Sequence, residues 1–224
     1  IQEADGIIAL GKFSPKTIQD LESYGKPLIF VDSNTLYLGH SCVTTDLEDS
    51  VITALEHFLE HHHKEIGLLV GQEETADATP LQMDPRQRVF QQFLTEKGLY
   101  EERFVAVGQF STESGYQMME QLIQALGDDL PTAFFMASDA IAVGALRSLQ
   151  EHQIAVPDRV SLISFNDTSI AKYVFPALST VTVYTEEMGK QAIQMLRQTF
   201  QGSQPSVPCM VKLATKLTIR DSSR

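Results

Sequence analysis

Basic residues are scarce in this sequence: 17 Lys and Arg stand against 29 Asp and Glu, a formal net charge of −12. No cluster of Lys or Arg falls on any predicted element, so this stretch of chain is expected to repel nucleic acid rather than bind it. Cysteine is scarcer still. Cys42 and Cys209 lie far apart without CxxC spacing, which argues against a disulfide framework or a cysteine zinc site and fits a reducing cytoplasm. No apolar run approaches the roughly 18 residues of a membrane span, and the start lacks the basic-then-apolar layout of a signal peptide. Ile1 is not an initiator, so further sequence upstream is expected. Catalytic and nucleotide-binding signatures are missing as well: there is no GxSxG, no GxxxxGKS or GxxxxGKT, no HExxH and no GxGxxG after a strand, which lowers the case for an enzyme.

What is present is the content of a globular protein. With 224 residues, 43% of them hydrophobic, the chain has room for one large or two modest domains. Short β-rich runs alternate with helical patterns, which predicts an α/β fold with parallel sheet built from βαβ units. Predicted strands are 6–10, 27–31, 42–45, 65–70, 103–107, 132–137, 160–165 and 179–183, with 210–219 as one closing strand. Several are apolar on both faces, as strands covered by helices must be. Ser14-Pro15 opens a helix that Gly25 closes, and Asp84-Pro85 opens one that Gly98 closes. Asp46 or Ser50 starts the helix of Val51, Leu55, Phe58 and Leu59; Ser138 or Asp139 caps Ile141 to Leu149; a last helix near 185–200 ends at Gly202. The stretch 72–83 lacks periodicity and reads as a mobile loop.

In open α/β sheets, ligands bind beyond the carboxyl ends of the strands. Asp32 follows PLIFV, Phe110 follows RFVAV, Ser138 and Asp139 follow TAFFMA, Asn166 and Asp167 follow VSLISF, and Arg86 stands in the first turn of the helix after strand 65–70. Carboxylate, guanidinium, amide and hydroxyl groups can chelate adjacent hydroxyls, and an aromatic ring suits the apolar face of a pyranose. The natural guest is a polyol or a sugar. Each residue also has a plainer reading: Asp139 and Asp167 as caps, Phe110 as core, Arg86 as a solvated residue, although a cation in a first turn opposes the helix dipole. His57, His61, His62 and His63 invite a metal reading, but no third ligand or supporting shell accompanies them, and a solvated helix end is the expectation. No cofactor is called for.

The stretch 130–193 carries SDxxAxGAL, VPxxVSLISFND, PxLSTV and EMGxxA, and in this pattern it resembles the effector-binding core of the lactose/galactose repressor family of bacterial transcription regulators. ADGIIAL, PLIFVD, VTTDLEDS, DPRQRVFQQFL, GQFSTESGY and TKLTIRDSSR match in order, so the resemblance covers essentially the whole chain, and within the family it is similar to galactose operon repressors of Gram-positive bacteria. It implies two Rossmann-like subdomains joined by three crossovers, residues 1–45 and 184–208 in one and 46–183 and 209–224 in the other, with a sugar between them. By its motifs the effector contacts carry over to Asp32, Arg86, Phe110 as ring stacker, Ser138 (often Asn in relatives) and Asn166 (often Asp). Val89 and His62 replace common glycines and read as structural. The resemblance further implies a cytoplasmic homodimer that binds operator DNA through an N-terminal helix-turn-helix preceding this chain, with no membrane partner and no catalysis. The Cys42-Val43 strand edge and the helix of Ile52, Leu55 and Leu59 read as the apolar dimer surface. The rival reading is the sugar-binding protein of a transport system, which shares the architecture.

Overall fold

The structure is a computed structural model, described for residues 3–75 and 83–224. Most of the aperiodic stretch 72–83 therefore lies outside the described residues. The chain divides into two compact units: the described residues of Ile1–Asp46, Glu74–Leu81 and Tyr184–Ala214 form the smaller, and those of Leu47–Glu73, Gln82–Val183 and Thr215–Arg224 the larger. It crosses from one to the other after Asp46, Val183 and Ala214, the three crossovers the resemblance implies, and Glu74 and Thr75 also group with the smaller unit.

In the smaller unit, strands β1 (Ile7–Leu10), β2 (Leu28–Val31), β3 (Cys42–Thr45) and β9 (Met210–Leu213) form a parallel sheet in the order β1-β2-β3-β9. Helix α1 (Pro15–Glu22) is capped by the Ser14 side chain, which accepts from the Thr17 amide. Ile18 of α1 buries against Ala9, Phe30 and Cys42. Helix α7 (Thr185–Phe200) packs against β2 and β3 through a buried stripe of Met188, Ala192 and Met195. At the sheet edge β1 leaves Ile8 and Leu10 exposed.

The larger unit holds a six-stranded sheet in the order β10-β8-β7-β6-β4-β5, built from β4 (Ile66–Gly71), β5 (Val105–Gly108), β6 (Ala133–Met136), β7 (Ser161–Asn166), β8 (Ser179–Thr182) and β10 (Lys216–Thr218). Every pairing is parallel except β10 with β8. Side chains alternate between the faces with the period of two that a strand imposes. Ile66, Leu68, Val70, Phe135 and Ile163 pack with α2 (Leu47–Glu60) and α3 (Pro85–Glu96), while Leu69, Phe134, Met136 and Leu162 pack with α4 (Thr112–Leu126) and α5 (Asp139–Glu151). Strand order reverses at β4, whose neighbours β5 and β6 lie on opposite sides, and in such sheets that reversal opens a crevice at the carboxyl ends.

Helix stops are where the glycines predicted them: Gly25, Gly98 and Gly202 follow α1, α3 and α7 with φ of 60, 72 and 65°, the left-handed turn that glycine adopts without penalty. His62 takes the same conformation, with φ of 67°, at a position where glycine is common in the resembling family.

Several expectations need correction. The predicted closing strand 210–219 is two strands, β9 paired with β3 and β10 with β8, so Met210–Leu213 lies in the smaller unit. A chain that leaves one sheet and enters another needs no turn, and the sequence shows no break there. Residues 102–104 are a short 3-10 turn, and β5 starts only at Val105. Ser50 lies inside α2, buried and hydrogen-bonded to Thr215. Cys42 and Val43 are not an edge, because β3 sits between β2 and β9 with both residues fully buried. Leu55 is equally enclosed, and Ile52 and Leu59 pack on the same core. Helix α4 has no counterpart among the predicted elements.

Gly115 stands in the first turns of α4. Here it is a contact point: a Cβ at Gly115 would stand 2.2 Å from the Ile141 carbonyl oxygen, and one at Gly144 would stand 1.9 Å from the Thr112 carbonyl oxygen. The two glycines thus let α4 and α5 touch backbone to backbone. Gly144→Ala is expected to lower stability by about 1–3 kcal/mol, the usual cost of overpacking. Urea unfolding checks this, and an unchanged midpoint would mean the helices part freely.

Candidate functional site

Arg86 gathers the site in the larger unit. Asp84 caps α3, its Oδ1 accepting from the Arg86 amide at 2.8 Å. The same carboxylate then takes the Arg86 side chain, with Nε donating to Oδ1 at 2.8 Å and Nη2 to Oδ2 at 2.6 Å. Nη2 also donates to Glu73 Oε1 at 3.1 Å, and Nη1 donates to the Ala137 carbonyl at 2.9 Å. The guanidinium carbon lies 4.8 Å from the centroid of the Phe110 ring and 5.4 Å from that of Phe165, within the range of cation–π attraction. Arg86 therefore touches Phe110 directly and reaches the residues next to Ser138 and Asn166. These four predicted residues come together at the carboxyl ends of β4, β5, β6 and β7.

Arg86 is 7% exposed, so the solvated first-turn reading fails. Its unfavourable position against the helix dipole is offset by Asp84, a cap that is also a counter-ion. Phe110 is half-buried and packs partly on both cores of the unit. Gly71 makes room for its ring, since a Cβ there would lie 2.4 Å from Phe110 Cδ2. Core packing and partial exposure coexist in this residue.

Ser138, not Asp139, caps α5: its Oγ accepts from the Ile141 amide at 3.2 Å. Its hydroxyl hydrogen has no acceptor among the described residues. Asn166 ends β7 with φ of 108°, followed by Asp167 at 58°, two consecutive residues in territory that favours glycine. Such strain persists only where surrounding structure enforces it. The Asn166 carbonyl accepts from the Val183 amide at 3.3 Å, and its side-chain amide has no partner among the described residues. Asp167 is held by Arg220 Nη2 at 2.7 Å and Thr182 Oγ1 at 2.8 Å.

Asp32 belongs to the smaller unit. It follows β2 with φ of 62°, and its carboxylate pairs with Lys12 Nζ at 3.0 Å. Lys12 also donates to the Asp32 carbonyl, so one ammonium braces both acceptors of this left-handed residue. Lys12, Glu73, Asp84 as counter-ion and Arg220 were not legible as site residues from the sequence. The usable signal was Asp-Pro-Arg, in which a helix cap and a cation stand two positions apart.

The histidines are engaged locally. His57 Nε2 meets the Arg224 carbonyl oxygen at 2.8 Å, His61 Nδ1 the His57 carbonyl at 2.8 Å, and His63 Nδ1 the Thr132 hydroxyl at 2.9 Å. Burial first, and then the neighbouring His61, hold His57 below the ordinary imidazole range. Among the described residues no group of three His, Cys, Asp or Glu is placed to hold a metal ion, and no helix is long and apolar enough to cross a membrane.

Two units of open parallel sheet with polar groups at the strand ends define a periplasmic-binding-protein-like core, and residues 55–223 match the family of periplasmic binding protein-like domains. The chain is 48% identical over 223 residues to the HTH-type transcriptional regulator GalR of Streptococcus thermophilus, covering 100% of this chain and 67% of that protein. It is 36% identical over 222 residues to GalR of Lacticaseibacillus casei, covering 99% and 67%. In structure it matches the transcriptional regulator CelR in its cellobiose complex with a TM-score of 0.85 and 25% identity, covering 99% of this chain and 66% of that one. The chain belongs to the lactose/galactose repressor family of bacterial transcription regulators, a family of regulators and not of enzymes. It spans about two thirds of the length of these relatives.

The paired burial of Arg86 with Asp84, whose side chains are 8% and 1% exposed, changes what its removal should do. Arg86→Ala strands a buried carboxylate, so it is expected to cost about 3–5 kcal/mol of folding free energy before any ligand is added. Chemical denaturation of the ligand-free variant checks this, and wild-type stability would show that Asp84 is satisfied without its cation.

Proposed function

We propose that this chain is the sugar-sensing core of a repressor controlling a carbohydrate-utilisation operon, with a galactose-type sugar as effector. The observation that carries the reading is that Arg86 lies against the Phe110 ring and bonds or faces the residues next to Ser138 and Asn166, in a family whose relatives include galactose-named regulators. In this reading Phe110 meets the apolar face of the sugar ring while Arg86, Ser138 and Asn166 bond its hydroxyls; Asp32, in the smaller unit, is nominated by the family's motifs alone. Ser138 and Asn166 stand where relatives often carry Asn and Asp, which keeps the hydrogen bonding and removes a charge. The effector acts by binding one conformational state more tightly than another and so shifting their populations.

Operator DNA is read by a helix-turn-helix segment outside this chain. The acidic composition of the chain and the HTH-type naming of its relatives support that division of labour, and reading an operator places the protein in the cytoplasm. The transport reading is not favoured, since the matching relatives are regulators.

Titration calorimetry of the full-length protein with D-galactose tests the proposal. Phe110→Ala is expected to weaken binding about tenfold, the scale of an aromatic contact. Absence of binding by the wild type at millimolar sugar would remove the galactose assignment.

The homodimer remains part of the proposal, but its surface moves. In the larger unit Tyr173 and Phe175 are 85% and 84% exposed, with Ile170 beside them on α6 (Ser169–Tyr173). An adjoining groove is lined by Val143, Leu146 and Val174. Contiguous exposed apolar groups of this kind mark an interface. Sedimentation at micromolar concentration should show a dimer for the wild type and a monomer for the Tyr173→Glu, Phe175→Glu double variant. A dimer in both would place the interface elsewhere.

A further inference from the structure

Asp139 is the most completely enclosed carboxylate among the described residues that no cation neutralises. It is 1% exposed and occupies the first position of α5, yet the cap is already supplied by Ser138. Its two oxygens instead collect four donors. Oδ1 accepts from Ser164 Oγ at 2.5 Å and Thr180 Oγ1 at 3.0 Å. Oδ2 accepts from the Thr168 amide at 2.6 Å and the Thr168 hydroxyl at 2.8 Å. Four acceptor bonds fill the capacity of a carboxylate, and the amino end of α5 favours negative charge there.

The placement of the donors is informative. Ser164 lies two residues before Asn166 and Thr168 two residues after it. Thr180 also accepts from the Asp167 amide at 3.3 Å, so the peptide following Asn166 is tied to Asp139 through one hydroxyl. One carboxylate thus grips the chain before, at and after a corner whose two residues have φ of 108 and 58°. Helix capping needs none of these contacts, and core packing would be better served by an apolar residue.

We infer that Asp139 is the positioning residue for Asn166, holding the strained end of β7 so that the Asn166 amide points at the effector without itself touching the sugar. The inference rests on the reading of Asn166 as a sugar contact. Asparagine at 139 keeps the shape but turns an NH2 group toward donors, so either Thr168 or the Ser164–Thr180 pair loses its acceptor.

Two measurements on the full-length protein decide it. In the absence of sugar, amide hydrogen exchange at Asp167 and Thr168 should quicken about tenfold or more in Asp139→Asn, while amides of β6 and of α5 beyond its first turn keep their protection. With D-galactose, Asp139→Asn should weaken binding about tenfold in the wild-type background, the scale of a lost charge-assisted bond. The same change should cost less than about twofold in an Asn166→Ala background, because residues acting through one contact are not additive. Equal losses in both backgrounds, or unchanged exchange at 167–168, would overturn the inference. If the wild type does not bind galactose, the sugar assignment fails and the exchange result alone decides whether Asp139 holds the corner. Thr180→Val, isosteric and removing only the bridging hydroxyl, carries the same two expectations should Asp139→Asn not fold.

Discussion

Burying a guanidinium is expensive unless its donors are met, and the larger unit is organised around meeting those of Arg86. Asp84 supplies both oxygens, Glu73 a third, and the end of β6 a carbonyl. Each acceptor comes from a different piece of chain, so the ion pair ties the start of α3, the segment after β4 and the end of β6 together. The rings of Phe110 and Phe165 lie against the same cation. A network of this kind rigidifies the carboxyl edge of the sheet.

The edge has a second anchor of opposite sign. Asp139 gathers hydroxyls and an amide from β7, β8 and the turn after β7, and Asp167 is clamped beside it by Arg220 and Thr182. Between the two anchors the larger unit presents a ring, a hydroxyl and an amide. Most of the charge is thus spent on holding the scaffold, and what stands beside the Arg86 guanidinium for a ligand is neutral hydrogen-bonding capacity. Positions 138 and 166, where this chain carries Ser and Asn, continue that pattern. In the smaller unit the Lys12–Asp32 pair repeats the device on a more exposed residue.

Much of this was readable from residue order. The alternation of strands and helices follows from hydrophobic periodicity and from caps such as Ser14-Pro15 and Asp84-Pro85, which are local and need no partner to be recognised. Residues at the carboxyl ends of parallel strands must converge, so Arg86, Phe110, Ser138 and Asn166 could be nominated together. Helix α4 carries a local signal as well, the Ser111 cap and the spacing of Met118, Met119 and Leu122, but its close contact with α5 at Gly115 is not written in sequence spacing. The switch of residues 210–218 from one sheet to the other left no mark either, since both strands satisfy the same alternation.

By itself, the sequence determined the class of fold, the polar edge and the family, because these rest on periodicity, chain order and short motifs. Tertiary structure decided which of the polar residues are scaffold and which are free. Asp139 and Asn166 are both short polar residues at strand ends, and nothing in their neighbours along the chain separates a carboxylate that collects four bonds from an amide that makes none. The difference comes from Ser164, Thr168 and Thr180, brought within 3 Å by the packing of β7 and β8 against α5. Burial and partner choice are properties of the assembled fold, because hydrogen bonds in a low-dielectric interior are settled by whatever side chains distant segments deliver.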